Sequence, residues 1–288
     1  MKTVAMQIRR PTFLYTALAM IAFASNSLLN RLALGDEAID PVSYTTVRLV
    51  TGATILILIA MIQRNNTEKK VRGSWLSAAL LFLYAISFSF AYLSLSAGTG
   101  ALILFGSVQV TMILVALRAG ERPHWLVWLG VLLALGGLVY LVTPGLRAPS
   151  PLGSGLMAAA GIAWGFYSLR GRGSDTPLAD TAGNFLYAVP FILSVRLVVL
   201  SGIHLSINGI FLAALSGTIA SGVGYVIWYA ALRGLTATRA AIVQLSVPVL
   251  AAWGGVIFLA EDISLRLMLA GAFILGGIAL AVTGHVQA

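Results

Sequence analysis

Long apolar stretches, broken by short connectors that hold charged residues, glycine and proline, run through the whole chain. Apolar runs of about 18 or more residues with few charges are typical of helices that span a membrane. The pattern therefore predicts an all-α, polytopic membrane protein with ten transmembrane helices. The predicted helices cover residues 12–34, 41–63, 74–97, 98–118, 124–143, 152–170, 178–200, 208–232, 236–260 and 264–285.

Two prolines fall inside these predicted helices, Pro190 in the seventh and Pro248 in the ninth. Proline lacks a backbone N–H and clashes with the preceding turn, so each should bend its helix. We treat both as structural or gating positions.

The first apolar run follows Lys2, Arg9 and Arg10 and therefore imitates a signal peptide, with small residues at 22–24 in place of a cleavage site. The run continues to Leu34, and a similar segment recurs in the middle of the chain. We therefore expect a retained first helix, preceded by a cytoplasmic tail of residues 1–10.

The nine acidic residues all lie in short connectors or at the ends of predicted helices, although the chain is 59% hydrophobic. Carriers coupled to protons or sodium generally use carboxylates at membrane depth. The distribution of acids therefore predicts transport that is not tightly coupled to proton movement.

The net charge of +9 would suggest a nucleic-acid partner in a soluble protein. With the amino terminus in the cytoplasm, cytoplasmic segments hold thirteen Lys and Arg residues and outer segments hold three. This bias follows the positive-inside rule, so it predicts two cytoplasmic termini and no nucleic-acid binding.

Several kinds of chemistry are excluded by what the chain lacks. It has no cysteine, and its three histidines are too far apart in sequence to form a metal-ligand motif. It has no phosphate-binding glycine loop and no Ser-His-Asp cluster at a depth where it could act. We expect no metal, no cofactor, no ATP drive and no enzymatic activity.

An internal repeat links the two halves of the chain. Leu-Gly-Gly-Leu-Val at 135–139 resembles Leu-Gly-Gly-Ile-Ala at 275–279, and Glu121 matches Glu261 at the same shift. The first helix matches the sixth, so the repeats cover residues 11–145 and 151–286. Five helices per repeat is an odd number, which predicts that the second copy is inverted in the membrane, as is typical of secondary transporters. We interpret the Gly-Gly pairs as close-packing sites.

Polar and aromatic side chains at depth are the candidates for a substrate pathway, because polar groups in a membrane generally face the protein interior or water. Each has a simpler explanation in helix packing, an interfacial aromatic belt or interhelical hydrogen bonds. The predicted substrate-binding residues are Asn26, Tyr84, Phe88, Gln109, Trp164, Tyr167, Tyr225, Trp228 and Gln244.

Arg48 lies about two turns inside the second predicted helix, where a guanidinium costs at least about 2.5–3.5 kcal/mol. We expect its partners to be carbonyl groups at a broken helix end or an acid of an outer loop such as Asp40. It either clamps helices together or acts as a gate or as a dock for a substrate carboxylate. Arg196, close to the outer end of its helix, is expected to be structural.

Most of the chain resembles two tandem EamA domains of the drug/metabolite transporter superfamily. The resemblance is carried in the first half by segments 91–98, 101–103, 120–122 and 130–137, and in the second by 235–241, 247–249, Glu261 and 271–277. Within the superfamily, the chain is similar to bacterial exporters of aromatic and other neutral amino acids. One departure is Val108, which stands where the second half has Pro248, and it implies that the two halves move unequally.

The resemblance implies a carrier in the bacterial cytoplasmic membrane that exports neutral or zwitterionic metabolites by alternating access. An uncharged cavity halfway across the lipid, lined with aromatic and amide side chains, would suit amino acids with an apolar part. An exporter of another uncharged metabolite or drug is the alternative within transport. The alternative of another class is an integral-membrane enzyme or a scaffold. The expected partners are the solute and the lipid bilayer, and the oligomeric state stays open, a monomer included.

Overall fold

The computed structural model describes residues 10–62, 72–118, 125–142, 148–172, 174–199, 202–235, 240, 243–244 and 246–286. This part of the chain is almost entirely helical, and its one extended pairing is an isolated bridge between Ile39 and Leu205. The helices are α1 (Arg10–Gly35), α2 (Pro41–Ile62), α3 (Trp75–Ala91), α4 (Ala97–Arg118), α5 (Trp125–Val142), α6 (Pro151–Gly171), α7 (Pro177–Val198), α8 (Ile207–Leu232), α9 (Ser246–Leu259) and α10 (Leu265–Val286).

Six of the described helices are long and apolar enough to cross a membrane. They are the segments Pro11–Gly35, Pro41–Ile62, Ala97–Val115, Pro151–Gly171, Pro177–Val198 and Ile207–Leu232. The described parts of α3, α5, α9 and α10 are also apolar but shorter. The protein is therefore a multi-pass membrane protein, as the sequence predicts.

Side-chain caps mark where several helices begin. Ser150 accepts a hydrogen bond from the Gly153 N–H at 3.2 Å, and Ser206 accepts one from Gly209 at 3.0 Å. Asp40 precedes α2 and accepts the Ser43 N–H at 2.9 Å. Such caps satisfy backbone donors that have no partner in the first turn of a helix.

One predicted helix differs from the observed one, and the start of another lies outside the described residues. The third was predicted to reach residue 97 but ends at Ala91, and turns fill the connector before α4 begins at Ala97. Because this connector is largely apolar, hydropathy alone does not distinguish its turns from the end of the helix. The ninth helix is described from Ser246, with the prediction for residues 236–239, 241–242 and 245 lying outside the described residues.

The two prolines have different positions. Pro190 lies inside α7, which continues past it to Val198. Pro248 lies in the first described turn of α9, next to residues outside the described part, so the bend predicted there stays a prediction.

Helix α8 contains a segment that the sequence analysis did not predict. Residues Ser216–Val223 form a π-helix between two α-helical parts, Ile207–Leu215 and Gly224–Leu232. A π segment widens the helix by one residue per turn and is frequently found at functional sites.

The first helices of the two repeats, α1 and α6, run in opposite directions. The carboxyl end of α1 and the amino end of α6 meet at the α3–α4 connector, where Arg31 binds the Tyr92 carbonyl and Gly153 contacts Ser94. At the other end of the molecule, Gly171 at the end of α6 contacts Tyr229. Helices α1 and α6 are therefore antiparallel.

The two repeats also exchange packing partners. Helix α1 packs on α8 and α9 of the second repeat, and α6 packs in the same way on α3 and α4 of the first. Helix α2 packs on α7, and α5 on α10, so two pairs of equivalent helices contact each other directly. A functional site at this boundary is built from both repeats.

Candidate functional site

A cluster of buried polar groups lies where α2, α3 and α8 meet, with Arg48 at its centre. Arg48 is only 1% exposed. Its Nε donates to Ser221 Oγ at 3.0 Å, and its Nη2 donates to the hydroxyls of Tyr84 and Tyr225 at 3.1 and 3.2 Å. The guanidinium carbon also lies 5.1 Å from the centre of the Tyr84 ring and 5.5 Å from that of Phe88, within cation–π range.

The partners of Arg48 differ from those predicted. We expected carbonyl groups or Asp40, whereas the structure gives it neutral hydroxyls from two other helices. Asp40 is held by Arg196, whose Nη1 lies 3.4 Å from its carboxylate, because both residues are at the same end of the molecule. The third nitrogen of Arg48, Nη1, is buried and has no hydrogen-bond partner within the described part of the chain.

The π segment of α8 brings the hydroxyls into the cluster. Gly217 lies against the Arg48 backbone and the Thr51 side chain, and any side chain at this position would overlap both. The absence of a side chain therefore lets α8 approach α2 closely. Ser221, four residues further along, then reaches Arg48, and Ser216 donates to Asn26 Oδ1 at 2.6 Å.

Asn26 extends the polar network to α1. Its Nδ2 donates to the Tyr84 hydroxyl at 3.1 Å, and Asn30 one turn later donates to the Asn26 carbonyl at 3.0 Å. Tyr84 therefore receives hydrogen bonds from two different helices. The network fixes the orientation of Tyr84 between α1 and α2.

Trp164 on α6 is the centre of an aromatic cluster beside the polar one. Its ring centroid lies 4.7 Å from Tyr225, 5.1 Å from Tyr84 and 5.6 Å from Phe23. Its Nε1 points to Gln244 Oε1 at 3.5 Å, a long contact for a hydrogen bond. Four helices, α1, α3, α6 and α8, thus contribute to one aromatic surface.

The space between these side chains is small. The cavity is lined by Phe23, Ser27, Tyr84, Phe88, Leu104, Phe105, Trp164 and Tyr225. Its volume is about 10 Å³, which is enough for roughly one water molecule. The cavity that the described residues line is therefore too small for an amino acid.

This finding corrects the size of the expected chamber. The cavity that the described residues line is smaller than the expected solute-sized chamber, because aromatic side chains of both repeats surround it. Its lining is uncharged, as expected, but the Arg48 guanidinium is hydrogen-bonded to Tyr84 and Tyr225, two of the lining residues.

The other predicted residues lie around this centre at different distances. Trp228 contacts the far side of Phe23, with ring centroids 5.7 Å apart, and Tyr167 contacts Trp164 at 5.6 Å. Gln244 lies behind Trp164. Gln109 is buried on α4 but outside the lining of the cavity as described. Their role in substrate binding stays a prediction.

Six side chains at the site were missing from the predicted set, Phe23 of the cavity lining among them. Ser27, Leu104 and Phe105 line the cavity, and Ser216 and Ser221 bind Asn26 and Arg48. The two serines of α8 carried a readable signal, since they are polar residues within a long apolar run. Leu104 and Phe105 carried none, because apolar residues in an apolar helix do not reveal which face they occupy.

One end of the molecule is closed by ionic contacts. Arg31 Nε lies 3.1 Å from Glu261 Oε1, and the Ala97 N–H donates to Glu261 Oε2 at 2.8 Å. Glu261 therefore ties the end of α1 to the first turn of α4. Anionic groups are favourable at this position, because the first N–H groups of a helix have no backbone partners.

Asp40 and Arg196 form a second contact at this end of the molecule. Burial raises the pKa of the Asp40 carboxyl, but hydrogen bonds from Ser43 and His204 and the charge of Arg196 outweigh it and leave the pKa below its usual value. The carboxylate is therefore ionised at neutral pH. Among the described residues, no group of three or more His, Cys, Asp or Glu side chains could hold a metal ion.

Comparison with known proteins identifies relatives over the whole chain. A model of the EamA-like transporter family matches residues 10–143 and 151–283. A protein of Pseudomonas aeruginosa described as uncharacterized is 52% identical over 271 residues, which cover 94% of each chain.

More distant relatives are described as uncharacterized transporters. One from Archaeoglobus fulgidus is 26% identical over 84% of this chain and 86% of its own, and YwfM of Bacillus subtilis is 25% identical over 81% of each. A solved crystal structure superposes with a TM-score of 0.68 at 20% identity, over 97% of this chain and 100% of that one. At this identity, the likeness to the solved structure concerns the fold alone.

Proposed function

The chain belongs to the EamA-like transporter family, within the drug/metabolite transporter superfamily, and from this premise we propose that it is a secondary carrier of small neutral or zwitterionic metabolites. Its substrates are amino acids, aromatic ones included, and it exports them across the bacterial cytoplasmic membrane.

The observation that carries this proposal is the aromatic and polar centre built jointly by the two repeats. Trp164 from the second repeat contacts Tyr84 from the first, and Arg48 of the first binds Ser221 and Tyr225 of the second. A solute bound here touches both repeats, so a movement of one repeat against the other changes which side of the site is open.

In this proposal the chain crosses the membrane ten times, with both termini in the cytoplasm and the second repeat inverted. The antiparallel directions of α1 and α6 support the inversion. The central cavity, which is too small for an amino acid, then corresponds to an occluded state of an alternating-access cycle. Opening on either side separates the aromatic side chains that fill the cavity.

The carrier works by downhill transport or exchange. The acids in the described part of the chain lie in connectors or first turns, such as Asp180 in the first turn of α7. No described helix therefore offers a carboxylate at mid-depth for proton coupling. A pH gradient alone should not drive concentrative uptake.

Counterflow in proteoliposomes tests the proposal. Vesicles loaded with millimolar unlabelled phenylalanine should accumulate external labelled phenylalanine transiently and saturably, whereas vesicles without protein should not. Counterflow only with uncharged drugs or metabolites would favour the alternative substrate class. Failure with every solute class would favour an enzyme or a scaffold and contradict the carrier.

A further inference from the structure

We propose that Arg48 binds the carboxylate of the transported solute, so that a carboxylate is required for transport whereas an ammonium group is not. This inference rests on the proposed carrier function and deepens it by assigning the group that is recognised: substrates are monocarboxylates with an apolar side chain, zwitterionic amino acids among them.

The first observation is a buried charge without a counter-ion. Arginine stays protonated in proteins, so Arg48 carries a full positive charge in the interior. Within the described part of the chain, ion pairs join Arg31 to Glu261 and Arg196 to Asp40, and Arg48 is in neither. Hydroxyl groups solvate its charge without neutralising it. A buried cation of this kind favours an anion supplied by a ligand.

The second observation is the free nitrogen. Nε and Nη2 of Arg48 are engaged, whereas Nη1 is buried without a described partner. A carboxylate binds the guanidinium edge formed by Nη1 and Nη2 through two parallel hydrogen bonds. Such a carboxylate would bind Nη1, which has no described partner, and would share Nη2 with the hydroxyls of Tyr84 and Tyr225. The hydroxyls of Tyr84 and Tyr225 could then donate their own protons to the carboxylate.

Arg48 does not itself line the cavity but is hydrogen-bonded to Tyr84 and Tyr225, which do. Phe23, Phe105 and Trp164 of the lining present apolar surface, which suits an aromatic or aliphatic side chain. The lining contains no anionic side chain that would bind an ammonium group. The carboxylate is therefore the group that the site recognises most strongly.

A purely structural Arg48, which only clamps α2 to α3 and α8, makes a different prediction. A clamp would not distinguish solutes by their carboxylate, although its loss would weaken the fold. The two roles are separated by changing the solute with the wild-type protein intact.

The experiment is counterflow of labelled phenylalanine in proteoliposomes with four unlabelled competitors: phenylalanine, 3-phenylpropionate, phenylalaninamide and phenethylamine. We expect 3-phenylpropionate to compete within about tenfold of phenylalanine, and the amide and the amine to be at least about 100-fold weaker. Equal competition by the amide or the amine would overturn the Arg48 proposal while leaving the carrier function intact. Absence of counterflow with every solute would instead contradict the proposed function.

Variants and a binding measurement complete the test. Arg48→Gln should lose the preference for carboxylates. Arg48→Lys should keep part of it, because lysine retains the positive charge but lacks the two parallel N–H donors of the guanidinium. Arg196→Gln is the matched control and should keep the full preference. In detergent, 3-phenylpropionate should raise the melting temperature of the wild type and of Arg196→Gln but not that of Arg48→Gln. Equal stabilisation of Arg48→Gln would contradict the proposal, and if that variant does not fold, the wild-type competitor series decides alone.

Discussion

At the scale of single residues, the site depends on Trp164, because its ring contacts side chains from both repeats. A tryptophan in this position supplies a large apolar surface and one polar N–H. Phenylalanine would keep most of the apolar surface, whereas alanine would leave a cavity. The two replacements therefore separate the loss of aromatic surface from the loss of the Gln244 contact.

We predict that Trp164→Ala raises the apparent KM for phenylalanine counterflow at least about tenfold, whereas Trp164→Phe changes it less than about threefold. Gln244→Ala should have an intermediate effect. Trp253→Ala is the control, since Trp253 is 61% exposed on the outside of α9. Unchanged KM and rate in both Trp164→Ala and Gln244→Ala would refute the assignment of this pocket.

Asp40 gives a prediction about pH, because its folded-state pKa is lowered relative to the unfolded chain. A group of this kind stabilises the folded state above its unfolded pKa, and the stabilisation disappears as pH falls through the folded pKa. Asp40→Asn should therefore cost about 1 kcal/mol at pH 7, and this cost should shrink as pH falls from 7 through the folded-state pKa. Melting temperatures of both proteins across this range test it, and a constant difference at all pH values would contradict it.

Several residues of the central site could be predicted from the sequence, because polar and aromatic residues are conspicuous in apolar helices. Tyr84, Trp164 and Tyr225 were predicted from this signal, and the structure brings them together. The partners of Arg48 could not be predicted, since they depend on the rotation of α3 and α8. Nor could the small volume of the cavity, because it depends on how closely the side chains of several helices pack.

At the scale of elements, the two Gly-Gly pairs show how closely α5 and α10 approach. The second glycine of each pair faces the other helix: Gly137 lies against Ile274, and Gly277 lies against the Gly130 carbonyl. The first glycines, Gly136 and Gly276, have nothing described within 4 Å of where a side chain would begin. The predicted packing role therefore belongs to one member of each pair.

We expect Gly277→Ala to destabilise the protein by about 1–3 kcal/mol, because the new methyl group would overlap the Gly130 backbone. Gly276→Ala is a matched control in the neighbouring position and should be neutral or slightly stabilising, because alanine favours the helix. Melting temperatures in detergent measure both. Equal effects of the two substitutions would contradict the observed packing.

The π segment of α8 is the element that the sequence did not reveal. Its Gly and Ser residues have low helix propensity but are also common in ordinary membrane helices. The extra residue per turn depends on packing between Gly217 and α2, which is a tertiary contact. Local patterns therefore predicted the helix but not its change of register.

In the proposed orientation, Glu261 is predicted to hold the outer end of the protein closed, because it joins Arg31 to the first turn of α4. Since the chain has no cysteine, Ser27→Cys provides a single reporter in the wall of the cavity. In that background, Glu261→Gln should increase labelling by an external, membrane-impermeant thiol reagent about fivefold or more, from the loss of a charged hydrogen-bonded contact.

The neighbouring substitution Asp262→Asn serves as the control and should leave external labelling unchanged. This substitution removes one negative charge from the same connector, but the Asp262 side chain is exposed. If both variants raise labelling equally, general loss of negative charge explains the effect, and the specific role of Glu261 is wrong.

At the scale of the whole molecule, the proposed repeat of five helices relates local sequence to mechanism. Two copies of an odd helical unit enter a membrane from opposite sides, and the antiparallel directions of α1 and α6 agree with this arrangement. Under the proposed alternating-access mechanism, the molecule has two similar ways of opening, one towards each side. The central cluster is the part that both openings share.

The most direct test of this account is the accessibility of Ser27→Cys from each side of the membrane. We predict that impermeant thiol reagents label it both from outside in right-side-out vesicles and from inside in inverted ones, and that phenylalanine slows both reactions. Labelling from one side only, or labelling that substrate does not affect on either side, would contradict a single central site with alternating access.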